Sequence, residues 1–124
     1  MSADMGKPAF LLICETCHGP GVPTPGPDDR AGLRDAIGNS DLNGRIAVKA
    51  VQCLGGCADP VSIGLQGAGL ASYVFSGVDL DTDRADILAT CGLYLDSPDG
   101  WIEDARPCGR LRNCLRARIP AIKE

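Results

Sequence analysis

The sequence predicts a mixed α/β fold: a four-stranded mixed sheet with two helices and a C-terminal basic tail. Three observations carry this expectation. Short apolar runs alternate with two segments whose apolar residues recur at helical spacing. Their order is strand, helix, strand, strand, strand, helix. The first strand–helix–strand unit calls for a parallel pair with a right-handed crossover. The Gly67-Ala68-Gly69 link calls instead for an antiparallel hairpin.

Ala9 to Ile13 is a short apolar run and reads as a buried strand ending at Cys14. Gly19 to Pro27 (GPGVPTPGP) is rich in proline and glycine and reads as a loop. Asp28 to Ile37 reads as a helix: Asp28 and Asp29 suit its start, Leu33 and Ile37 share a face, and Gly38 is a stop. Arg45 to Val51 is the second strand and leads into Cys53-Leu54-Gly55-Gly56-Cys57. Val61 to Gln66 and Leu70 to Ser76 are the hairpin strands. The second helix is expected from Asp79 or Asp81 to about Asp96. Four aspartates stand near its start, where the helix dipole favours negative charge, and Ile87, Leu88, Cys91, Tyr94 and Leu95 form its buried stripe. Ser97-Pro98-Asp99-Gly100 is a turn, and a short helix is expected around Arg110 to Arg118.

A chain of 124 residues fits a single folding unit, and 44% hydrophobic content is enough for a core. Residues 1–97 are expected to form the domain and residues 98–124 a basic extension packed on or near it. Net charge is −4, unevenly spread. Residues 1–105 carry 6 basic and 15 acidic residues, a net −9, while residues 106–124 carry 6 basic and 1 acidic, a net +5. An acidic body repels nucleic acid and anionic membrane and suits a basic partner surface. Residues 1–8 have no basic n-region, and Ala9 to Ile13 is too short for a signal h-region or a membrane span. A cytoplasmic, reducing setting is therefore expected. There, seven clustered cysteines suggest metal or redox chemistry before structural disulfides.

The run Cys14-Glu15-Thr16-Cys17-His18 matches the c-type haem attachment pattern. A haem iron needs a second axial ligand, however, and His18 is the only histidine. The two methionines, Met1 and Met5, lie at the N-terminus. Haem would also leave Cys53 and Cys57 unexplained, and a Rieske-type site needs two histidines. Cys14-x-x-Cys17 and Cys53-x-x-x-Cys57 each follow a predicted strand. In a parallel pair those strand ends meet at one edge, which would gather four thiolates. Four thiolates suit a [2Fe–2S] cluster or a structural zinc. Gly55 and Gly56 let the backbone wrap closely, so that N–H groups can face sulfur and set the reduction potential. Zinc knuckles more often use C-x₂-C on both sides, which favours the cluster.

The stretch VQCLGGCADPVSI, residues 51–63, resembles the second ligand loop of the thioredoxin-like [2Fe–2S] ferredoxin family. The same loop, CLGxC followed by a proline and an apolar strand, occurs in the small flavoprotein-associated subunit of respiratory complex I and in hydrogenase relatives. The four-stranded mixed sheet with two helices is likewise the thioredoxin-like arrangement. The resemblance covers roughly residues 8–97. It implies Cys14, Cys17, Cys53 and Cys57 as cofactor-binding, metal-ligating residues of a [2Fe–2S] cluster. It also implies electron transfer between a redox protein donor and acceptor, and a homodimer. In that family the first pair is usually spaced more widely than C-x₂-C. Residues 91–120 resemble instead an uncharacterised bacterial group of predicted metal-binding proteins, some encoded near cobalamin-biosynthesis genes.

The residues leave two other functions open. Cys14 and Cys17 could serve a thioredoxin-like dithiol oxidoreductase, with Cys14 as the attacking thiolate. Four cysteines could instead hold zinc in an interaction module. With no nucleophile–base pair beyond the cysteines, an electron carrier is expected rather than an enzyme. Cys91 reads as a small buried hydrophobe. Cys108 and Cys114, among arginines, would suit a second metal or a redox-sensitive disulfide, and Cys108 could replace a member of the first pair. Asp59-Pro60 reads as a shaped loop, often cis in this kind of fold.

Overall fold

The structure is a computed structural model that describes residues 9–16, 19, 21, 24–54 and 60–122. Its centre is a mixed five-stranded sheet in the order β2-β1-β3-β4-β5. The strands are β1 (Ala9–Cys14), β2 (Ala47–Val51), β3 (Ile63–Gly67), β4 (Ser72–Phe75) and β5 (Leu115–Ile119). The expected parallel pair is β1 with β2, and the expected hairpin is β3 with β4. β3 also runs antiparallel to β1.

The fifth strand corrects the expected count of four. Residues 110–118 do not form the short helix that their sequence suggested. Arg106–Asn113 is a 3-10 segment broken at Gly109 (φ 62°, ψ −130°), and Leu115–Ile119 pairs antiparallel with β4. Gly109, in positive-φ backbone space, breaks the segment, whereas Pro107 sits in its first turn, where proline is tolerated. The open edge of β4 then supplies hydrogen-bond partners that local propensity cannot reveal.

β1 alternates as its position requires: Ala9, Leu11 and Ile13 are buried, while Phe10 and Leu12 are half-buried on the other face. Both helices cover the Leu11 face. Helix α1 (Pro27–Gly38) buries Leu33 and Ile37. Its first turn is closed by Asp29, whose carboxylate accepts from the Gly26 N–H at 2.8 Å. Helix α2 (Arg84–Asp96) buries Ile87, Thr90, Cys91 and Tyr94. It starts later than the aspartates suggested, because they build the preceding turn. Asp79 Oδ1 accepts from the N–H groups of Asp81 and Thr82 at 2.9 Å each, and the Asp83 carboxylate accepts from the Asp79 N–H at 2.8 Å. Thr90 was missed in the buried stripe. Its hydroxyl donates to the Asp86 carbonyl at 2.7 Å, so its burial leaves no polar group unpaired.

The Ser97–Gly100 turn locks onto the sheet through two tyrosines. The Tyr94 hydroxyl donates to the Ala71 carbonyl at 2.6 Å. The Tyr73 hydroxyl donates to the Gly100 carbonyl at 3.0 Å and accepts from the Ile102 N–H at 2.8 Å. Among the described residues no helix is long and apolar enough to cross a membrane.

Candidate functional site

The parallel register of β1 with β2 pairs Phe10 with Ala47 and ends with Cys14 opposite Val51. The two strands therefore stop at the same edge. Beyond that edge the chains stay joined, since the Glu15 N–H donates to the Val51 carbonyl at 2.8 Å. Cys14 is fully buried, and its own N–H donates to the Ser62 carbonyl at 3.1 Å. Its Sγ lies 3.5 Å from the Gln52 carbonyl and 3.5 Å from Thr16 Oγ1, and the Thr16 hydroxyl donates to the same carbonyl. Gln52 immediately precedes Cys53, which is exposed. The structure thus brings Cys14 and the start of the Cys53 loop together. Cys17, Cys57 and His18 lie outside the described residues.

Three contacts that the sequence reading did not anticipate hold this edge in shape. Thr16 ties the first loop to the second. Leu54 folds back over the sheet: its Cδ1, like that of Leu12, would lie 3.6 Å from a Cβ at Gly64. A side chain at Gly64 would meet the Tyr73 carbonyl at 3.0 Å, so the close backbone approach there suits glycine, while both leucines stand at ordinary contact distance. Gly19, after the first pair, rests on Pro60, after the second, with 3.1 Å from an added Cβ to Pro60 Cγ. The one sequence signal for Thr16 was a hydroxyl between the two cysteines. Leu54 and Gly64 carried no signal, because their contact spans separate elements. The peptide between Pro60 and Val61 is cis, while Asp59 lies outside the described residues.

The surroundings are acidic. A cavity of about 310 Å³ opens beside Pro60, with Pro25, Asp29, Val78, Asp79 and Asp81 on its walls. The backbone N–H groups of Thr82 and Asp81 hold the Asp79 carboxyl below its ordinary value. Among the described residues no group of three or more His, Cys, Asp or Glu is placed to hold a metal ion. Only Cys14 and Cys53 of the four expected ligands belong to the described set.

The other cysteines are elsewhere. Cys91, Cys108 and Cys114 are buried on the helix side of the sheet. Burial pushes the Cys91 thiol up to about 12, and the Cys108 thiol adds to the effect. Cys114 donates weakly to the Arg110 carbonyl at 3.5 Å. The basic tail folds back on the acidic body. Arg110 Nε donates to Asp83 Oδ1 at 2.9 Å, its Nη2 pairs with Asp83 Oδ2, and the same nitrogen reaches the Gly77 carbonyl at 2.7 Å.

No curated protein and no solved structure matches the chain. Residues 11–121 match the family DUF1636, described as a protein of unknown function. That match takes in both strand ends at the cysteine edge and β5, and the chain therefore belongs to the DUF1636 family.

Proposed function

We propose that the protein is a thioredoxin-like one-electron carrier whose [2Fe–2S] cluster is held by Cys14, Cys17, Cys53 and Cys57. The observation that supports it best is the parallel β1/β2 register. That register sets Cys14 Sγ 3.5 Å from the carbonyl of Gln52, the residue before Cys53. The donor chemistry fits: thiols at two adjacent strand ends, with the Thr16 hydroxyl and the Gln52 carbonyl beside Cys14 at the rim of the core. When bound, the cluster supplies the electron chemistry. The chain's own residues hold it and set its polarity: Thr16 joins the two loops, and Leu54 and Pro60 cover them. The sheet order β2-β1-β3-β4 with both helices on one face supports the thioredoxin-like reading. Basic redox proteins, a cytoplasmic setting and a homodimer belong to the same proposal. The dithiol oxidoreductase reading fits less well, because a fully buried Cys14 is a poor attacking nucleophile.

Anaerobic purification followed by visible spectroscopy tests this. Broad bands between about 400 and 600 nm that bleach with dithionite, with iron and sulfide in equal amounts, are expected. A colourless protein from cells with full cluster supply overturns the proposal, and zinc content then decides for or against the zinc reading.

A further inference from the structure

We propose that a cavity at the opposite end of the sheet from the cysteines binds an arginine side chain presented by a partner protein. The cavity measures about 410 Å³ and is lined by Pro98, Asp99, Trp101, Glu103, Pro120 and Ala121. That is within the range of small-ligand pockets, roughly 300–1,000 Å³. It lies where the Ser97–Gly100 turn meets the end of β5, and it is independent of the cluster reading.

Three features of the lining select the occupant. The first is the ring. Trp101 already takes a guanidinium, because Arg118 Cζ lies 4.1 Å from its centroid while Arg118 Nη1 donates to the Ile102 carbonyl at 3.4 Å. Arg118 is not among the residues lining the cavity, whereas Trp101 is. Indole is the aromatic group that attracts such cations most strongly, and guanidinium stacks better than ammonium. The second feature is charge. The exposed Glu103 makes no hydrogen bond or ion pair among the described residues, and Asp99 is a further lining residue. These stand on a body of net −9 over residues 1–105. The third is the pair of prolines, whose rings give an apolar wall for the methylene stem. A ligand with its own carboxylate is repelled, so a peptide-borne arginine fits better than the free amino acid.

Trp101 is the only tryptophan, so its fluorescence reads the cavity directly. The full chain is titrated with Nα-acetyl-arginine amide. A saturable change with half-saturation in the millimolar range is expected. The neutral citrulline analogue should give none, and free arginine should bind several-fold more weakly. Glu103→Gln should weaken binding about five-fold. Asp28→Asn, which removes the same charge on α1 at the cysteine end, should leave it within two-fold. The Trp101 indole N–H, followed by NMR in the same titration, detects a complex that leaves fluorescence unchanged. The proposal is overturned by no saturable response in either readout, by an equal response to the citrulline analogue, or by free arginine binding as tightly. It is equally overturned if Asp28→Asn weakens binding as much as Glu103→Gln.

Discussion

Gly109, with φ 62° and ψ −130°, sits in backbone space that side-chain-bearing residues avoid, and a Cβ there would run into the Asp86 carboxylate. The same carboxylate accepts the Arg110 N–H at 3.1 Å. Gly109→Ala should therefore both strain the backbone and push Asp86 away. An expected cost is about 2–3 kcal/mol, read as a lowered urea midpoint by circular dichroism. Next to it, Arg110 holds the Asp83 carboxyl below its ordinary value of 3.8, against the opposing effect of burial. A depressed folded-state pKa stabilises the fold above the ordinary carboxylate value and loses that contribution as pH falls through the folded-state value. Asp83→Asn should cost about 1.5–3 kcal/mol at neutral pH, the worth of hydrogen bonds to a charged group. The difference from the wild type should shrink as pH drops below the ordinary carboxylate value, measured by urea unfolding across that range. A difference that stays constant down to strong acid would show that the pair contributes nothing through charge.

At the scale of elements, the segment after Gly100 behaves as part of the core rather than as an appendage. Leu111 is fully buried and packs among Leu11, Ile63, Phe75, Ile87 and Cys91. Leu111→Ala should then cost about 2–5 kcal/mol, as a buried leucine does in a close-packed core. A cost below about 1 kcal/mol would mean that the 106–113 segment is only loosely seated. Tyr94→Phe is a milder probe. It leaves the buried Ala71 carbonyl without the hydroxyl donor it has at 2.6 Å, and it should cost about 1–2 kcal/mol. Position 100 calls for glycine on two counts: its φ is 73°, and an added Cβ would come within 2.6 Å of the Tyr94 ring.

For the whole molecule, β2 and β5 are the edge strands of the sheet among the described residues. The β2 edge is guarded by Arg34, whose Nη2 donates to the Val48 carbonyl at 3.2 Å. The β5 edge carries Arg116 and Arg118 between the exposed Leu115 and Ile119. Charged edge strands resist pairing with other chains. Replacing both arginines by valine should raise the self-associated fraction in light scattering, and no change would show that another feature protects this edge. The placement of the cysteines also separates two groups. Cys53→Ala should abolish the visible bands expected of the proposed cluster, whereas Cys91→Ala should leave them intact.

Much of this architecture was legible in local patterning. β1 and its end at Cys14, α1, the Gly67–Gly69 hairpin and the strand preceding Cys53 all followed from apolar period and turn residues, which act over a few positions. The paired cysteine spacing likewise pointed to one sheet edge, since a right-handed crossover leaves few other arrangements. Other features depended on partners far along the chain. Leu115–Ile119 alternates apolar residues with arginines as a strand does, but that short pattern became a strand only where β4 offered an open edge. Asp79 and Asp83 built a turn before α2 because their carboxylates found nearby N–H groups, that of Asp81 among them. Gly64 and Leu54, 10 residues apart, shape the cysteine edge through a contact that exists only once β3 lies beside β1. The sequence by itself determined β1 to β4, α1 and most of α2, and placed Cys14, Cys53 and Cys91 in or beside them, because those choices rest on neighbouring residues. Only the tertiary structure decided how the tail closes the sheet and what surrounds Cys14, because those choices rest on backbone groups that distant segments supply.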